Sequence, residues 1–277
     1  MRKFERLNYL FAKSVVFAIT AGSVAQAISI APVLAQTNTD LPPVSPPPSS
    51  SAPPPAPGPF NFQQFNNPQG YSPLSQPPNI DPYIRGKLLI KQATDLISSG
   101  QLEPAVELLQ KSMEYRKIDP TPQFLLGLIN DQKGNPQLAL TNYTASVKKA
   151  TSLGMDSAQL RINLANTLVK LNYLKEAEFD YKRAIDIDDK NEIAHLNYGR
   201  LLLFKGDYAG SFQQLQRAHE LMATDPNLPL YEALALKGMG NTEESRLQLQ
   251  VFLDRAKGIN SDPRVINMAE NLLAGMK

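Results

Sequence analysis

The chain has 277 residues, 42% of them hydrophobic, and a formal net charge of +2, enough apolar material for one large folded core or two small ones. It has no cysteine, which excludes disulfide frameworks, thiolate metal sites, a cysteine nucleophile and a lipid-bearing N-terminal cysteine. Stability has to come from packing.

Residues 1–35 predict an export signal. Basic Arg2, Lys3, Arg6 and Lys13 are followed by the apolar run SVVFAITAGSVAQAISIAPVLA, which ends on Val33 and Ala35 in a small-x-small pattern. Cleavage is expected after Ala35, with Ala27 as the second position; the alternative is an uncleaved membrane tether, since the run is close to spanning length. The expected location is periplasmic or secreted, with no membrane span after cleavage. Because this segment carries a net +3, the remainder is near neutral at −1 and lacks the basic field that a phosphate backbone attracts, so nucleic acid is not an expected partner.

Residues 36–82 hold 15 of the 23 prolines and only two charged residues, Asp40 and Asp81, so no core can form there. The stretch PPVSPPPSSSAPPPAPGP favours an extended, semi-rigid spacer that is disordered in the sense of having no packed structure. As a coil it spans roughly 40 Å and fully extended roughly 140 Å. Within it, FNFQQFNNPQGY places Phe60, Phe62, Phe65 and Tyr71 close together, either as scattered apolar residues or as anchors onto the following domain or a partner.

From Tyr83 onward the composition turns to Leu, Ala, Lys and Glu with helical apolar spacing. One pattern recurs five times. Small residues stand at Ala93, Gly127, Ala165, Gly199 and Ala233, separated by 34, 38, 34 and 34 positions. Seven residues after each comes Gly100, Gly134, Asn172, Gly206 or Gly240, residues suited to the left-handed conformation that ends a helix. Twelve after come Ala105, Ala139, Ala177, Ser211 and Ser245; sixteen after come Leu109, Tyr143, Tyr181, Leu215 and Leu249. Nineteen after come Ser112, Ser146, Ala184 and Ala218, and then Phe252, which breaks the column. Small side chains let helices approach and large ones fill the adjoining space, so the columns predict a repeated helix pair.

These columns resemble the tetratricopeptide repeat, a 34-residue helix-turn-helix unit with small residues at its eighth, twentieth and twenty-seventh positions. The resemblance implies an all-α, right-handed superhelix of about five units over residues 83–277, at 86–119, 120–157, 158–191, 192–225 and 226–259, the second lengthened by four residues around Thr151–Asp156. Departures from the pattern are His195 where Trp is frequent, polar Asn130 in a core column, Gln92 and Glu232 where Leu is usual, and Phe252. The stripe of Val265, Met268, Ala269, Leu272 and Met276, with Ser261 or Asp262 as N-cap and Pro263 in the first turn, predicts a capping helix over 262–276.

The sequence holds no nucleophile elbow, phosphate loop, HExxH spacing or dinucleotide fingerprint, so neither an enzyme nor a cofactor is expected. His195 is expected in a packing position and His219 at the surface, and the run Asp186–Asp189 lacks the glycine and distal glutamate of a calcium loop. The sequon at Asn142 falls on a packed helix.

Binding is the function that a superhelix of this kind offers, on the groove lined by the first helices. Asn163, Asn166 and Lys170 lie at i, i+3 and i+7, and 34 residues on stand Asn197, Arg200 and Phe204. Leu125, Leu128 and Gln132 precede this stripe and Tyr231 follows it. Amides can pair with an extended backbone, Arg200 can grip a carboxylate and Phe204 can cover an apolar side chain, so a peptide or protein partner is expected. Some members of the family hold a terminal carboxylate with Lys, Arg and paired Asn; Asn166 and Asn197 match, whereas Ile162 and Tyr231 replace the cationic positions. The expectation is a non-catalytic scaffold or adaptor in the bacterial cell envelope, with a peptidoglycan- or exopolysaccharide-binding accessory protein as the alternative, weakened by the lack of tryptophan.

Overall fold

The computed structural model describes residues 80–257 and 262–276. The export signal and nearly all of the proline-rich segment, including its aromatics, lie outside the described residues, as does Ser261. The described residues form helices and no strands: α1 (Pro82–Ser98), α2 (Leu102–Tyr115), α3 (Thr121–Gln132), α4 (Pro136–Ser152), α5 (Ala158–Lys170), α6 (Leu174–Ile187), α7 (Glu192–Lys205), α8 (Tyr208–Glu220), α9 (Leu228–Gly238), α10 (Thr242–Ala256) and α11 (Pro263–Ala274). Prolines sit in the first turns of α1, α3, α4, α9 and α11, where no amide donor is lost from the ladder. Asp81, Ser157, Asn191, Asp207 and Asp262 each accept a backbone amide as N-cap, an interaction worth about 1 kcal/mol apiece.

Five helix pairs follow one another, each closed by a short turn. The turn residue identified in every unit has the left-handed backbone: φ is 78° at Gly100, 73° at Gly134, 64° at Asn172, 82° at Gly206 and 86° at Gly240. Among these five turn residues only Asn172 has a side chain that must tolerate that conformation, and asparagine does so at low cost. The small column lies at the pair interfaces. A methyl group on Gly127 would stand 2.4 Å from the Tyr143 ring and one on Gly199 2.8 Å from Leu215 Cγ, so in these units the large residue of the second helix is seated directly on first-helix backbone. Ser211 and Ser245 use the same proximity differently, donating to the carbonyls of Gly199 and Ala233 at 2.8 and 2.7 Å.

The column nineteen residues after the reference holds small residues until Phe252, and the structure supplies the reason. Phe252 packs in one cluster with Leu253, Ala256 and Ala269, and α11 lies on α10 in place of a further unit. Of the other departures, Gln92 is exposed and Asn130 donates to Leu126 O of its own helix at 2.8 Å, so neither polar group lies unsatisfied in the core.

Units three and four are joined by Glu178 on α6, which accepts from Lys182, from Lys205 on α7 and from the Tyr198 hydroxyl at 3.3 Å. Hydrogen bonds from Lys182 and Lys205, helped by their charge, hold its carboxyl down at about 2. A depressed folded value adds stability above the ordinary carboxylate range and loses it as pH falls through the folded value. Glu178→Gln should therefore cost about 0.5–1 kcal/mol at pH 7, the range of a partly exposed pair, and urea melts should show that gap closing between pH 4.5 and 2.

Candidate functional site

The first helices α1, α3, α5, α7 and α9 touch one another across successive units, and no two second helices share a comparable contact among the described residues. The array therefore closes on its first-helix side, which is the inner face. Helix α7 has nine buried residues spread around its circumference and α5 has eleven, as expected of helices flanked on both sides.

This enclosure decides where the residues picked by register lie. Leu125 and Leu128 are packed into the core. Asn163 is buried and its amide donates to Gln159 O at 3.0 Å, within its own helix. Lys170 is half-buried and pairs with Asp131 at 2.9 Å; the same carboxylate accepts from Thr167 at 3.0 Å and from the Tyr143 hydroxyl at 3.3 Å. Phe204 is half-buried on the last turn of α7.

The remaining four residues form one string. Asn166 Oδ1 accepts from the Tyr181 hydroxyl at 2.5 Å and from the Asn197 amide at 3.3 Å, and Asn197 Oδ1 in turn accepts from Arg200 Nη1 at 3.4 Å. The Arg200 guanidinium lies 5.0 Å over the Tyr231 ring and 4.0 Å from Asp225. Arg200 is only 4% exposed, yet its Nε and Nη2 find no hydrogen-bond partner among the described residues. Burial raises the Tyr231 phenol to about 12 against the opposing pull of Arg200, and the Tyr181 phenol is raised by the same cause. Of the nine residues picked by register, Lys170, Asn197 and Phe204 are the ones that keep partial exposure.

Sequence reasoning missed three features. Tyr181 and Asp225 complete the polar string, Asp131 separately holds Lys170, Thr167 and Tyr143, and no spacing rule marks the two aspartates. Arg161, 8% exposed, donates from Nη1 to Asp180 at 2.7 Å and from Nη2 to Asp156 at 2.7 Å, with Nε 3.0 Å from both Asp156 oxygens. Burial works against the guanidinium charge, the two carboxylates more than offset it, and the Asp180 carboxyl is raised by its own burial. Asp156 closes the four-residue insertion, so Arg161 fastens that loop to α5 and α6. The signal was the insertion itself, which places an acid just ahead of a helix.

The third feature is His219. It is surface-exposed, as expected, but its Nδ1 lies 3.1 Å from Oε1 of Glu232, a carboxylate only 2% exposed. His195 is buried between Gln214 Oε1 at 2.8 Å and Asp189 O at 3.1 Å.

Two clefts open between second helices. One of about 530 Å³, between α4 and α6, has Leu164 and Leu168 of α5 in its floor and the exposed Phe179 at its edge. The other, of about 230 Å³, is lined by Phe212, Gln216, His219, Glu220, Glu232 and Gln248. None of the nine register residues lines either cleft. Among the described residues no group of three or more His, Cys, Asp or Glu side chains could hold a metal ion, and no helix is long and apolar enough to cross a membrane.

No curated protein matches the chain. Solved structures do. YrrB, described as a TPR protein with an unusual peptide-binding site, is 20% identical with a TM-score of 0.57, over 66% of this chain and 90% of that one. A tetratricopeptide repeat protein from Parabacteroides merdae ATCC 43184 is 20% identical with a TM-score of 0.58, over 70% and 73% of the two chains. PilF of Pseudomonas aeruginosa is 16% identical with a TM-score of 0.56, over 70% and 90%. In sequence, the tetratricopeptide-repeat family matches residues 158–191, the boundaries expected for the third unit. Residues 158–191 are a tetratricopeptide repeat, and the described domain has the all-α solenoid fold of tetratricopeptide-repeat proteins.

Proposed function

We propose that the chain is a non-catalytic interaction scaffold of the bacterial cell envelope, exported by its N-terminal signal and held off a surface by its proline-rich segment. Its inner face takes an extended peptide of a protein partner. The observation that carries this reading is Arg200, a buried cation with two donor nitrogens lacking acceptors among the described residues, lying over Tyr231 and joined through Asn197 to Asn166. An unmet buried donor costs roughly 1–3 kcal/mol, and a peptide carbonyl or carboxylate reaching it recovers that loss. Half-buried Phe204, one turn further along α7, then covers the neighbouring apolar side chain. Support also comes from the fold shared with YrrB, whose description names a peptide-binding site.

Arg200→Met combined with Phe204→Ala leaves the Asn166–Tyr181 bond intact and so separates binding from folding. In affinity capture from envelope extract followed by quantitative mass spectrometry, at least one partner should fall tenfold or more, while the thermal melt of the variant stays cooperative. Retention of the full partner set by a folded variant would place the binding surface elsewhere.

A further inference from the structure

The cleft between α8 and α10 belongs to a series. Its floor residue, Glu232 on α9, occupies the place in its unit that Leu126, Leu164 and Tyr198 occupy in the three preceding ones. Those residues are buried, and at the equivalent junction Leu164 forms part of an apolar floor. Packing alone therefore favours leucine here. Instead the fifth unit buries a carboxylate, with Oε1 on His219 and Oε2 without a hydrogen-bond partner among the described residues.

The walls fit a cation. Gln216 and Gln248 bring amide oxygens, Phe212 an aromatic face, and Glu220, paired with Arg217, a second carboxylate. Arg255 on α10 also acts on Glu232. A guanidinium prefers two parallel oxygens of one carboxylate, and here one of the two is taken by His219. An ammonium needs separate acceptors around a point charge, and its alkyl stem can lie on an aromatic ring. The His219 side chain is half exposed and its ring makes no other hydrogen bond to described residues, so it can swing aside for such a ligand.

We propose that this cleft, whose lining includes none of the inner-face string, binds a primary alkylammonium, supplied by a lysine side chain of a partner protein or by a free amine. The test follows backbone amide shifts at residues 216–220, 232 and 248 in the full chain during titration with n-butylammonium, n-butylguanidinium and sodium chlorides. Saturable shifts with n-butylammonium are expected, weakened at least tenfold in Glu232→Gln and strengthened several-fold in His219→Ala, where both carboxylate oxygens are free. Linear drifts like those with sodium, equal affinity for n-butylguanidinium, or unchanged binding by Glu232→Gln would each overturn the proposal, as would loss of binding in His219→Ala. An acetylated, amidated Gly-Lys-Gly peptide separates the sources: tenfold tighter binding than n-butylammonium assigns the site to a lysine, and equal binding assigns it to a free amine. Because neither Arg200 nor Phe204 lines this cleft, failure here leaves the inner-face reading standing, and the reverse holds as well.

Discussion

Arg161→Ala is expected to lower the unfolding free energy by about 3–5 kcal/mol, the range for removing one partner of a buried ion pair. That is a large share of the ~5–15 kcal/mol that holds a typical domain folded. The loss has little to do with the attraction itself. Asp180 is buried and the Asp156 side chain is 11% exposed; without the guanidinium Asp180 loses its ion-pair partner and Asp156 keeps only the half-exposed Arg183 at 3.9 Å, in a site from which water is largely removed. Arg161→Lys should recover less than half, since one ammonium cannot bond both aspartates in the forked geometry that places Nε and Nη2 on Asp156 and Nη1 on Asp180. Urea denaturation at pH 7 measures both. A loss below about 1 kcal/mol for Arg161→Ala would mean that the loop and α6 rearrange to hydrate the acids, and that the cluster does not fasten the insertion.

The helix pairs were legible in the sequence because their packing is local and periodic. A small residue, a left-handed turn residue seven positions on and a small–large pair beyond it are demands that one unit makes on itself, so they recur at 34 residues and can be seen without coordinates. Phe252 looked like an error in that code and is its ending, explained only once α11 was seen to lie on α10. The binding face was less legible. Asn166, Asn197 and Arg200, picked by register, are joined by hydrogen bonds, but register carries no information about how tightly successive units close. Here the first helices approach until Leu125, Leu128 and Asn163 are covered. Contacts between units, such as Lys170 with Asp131 or Glu178 with Lys205, join residues 39 and 27 positions apart, and no repeat period points to them. The same holds for His219. Taken alone it is a surface imidazole, and its meaning comes from a carboxylate on the next helix.

Glu232→Leu should make the protein more stable, by roughly 1–3 kcal/mol at pH 7.5, because it replaces a buried carboxylate having one unmatched oxygen with the apolar group that two other units place there. Direction with pH provides a check that simple repacking does not. Burial raises the Glu232 carboxyl, opposed by His219 and Arg255, with Glu220 the further acid in the cleft. A folded value raised above the unfolded one means that the group favours the folded state below its unfolded value of about 4.5 and loses that advantage as pH rises through the folded value. The advantage of leucine should thus be greatest at pH 7.5 and shrink as the pH is brought to 4, whereas a gain from better packing alone would stay constant. Unfolding by urea at the two pH values separates these outcomes, and a variant less stable than the parent at pH 7.5 would show that His219 and Arg255 fully compensate the carboxylate. If leucine does stabilise, the carboxylate carries a measurable cost to the fold in a cleft open to solvent, a cost that a cation bound there would offset.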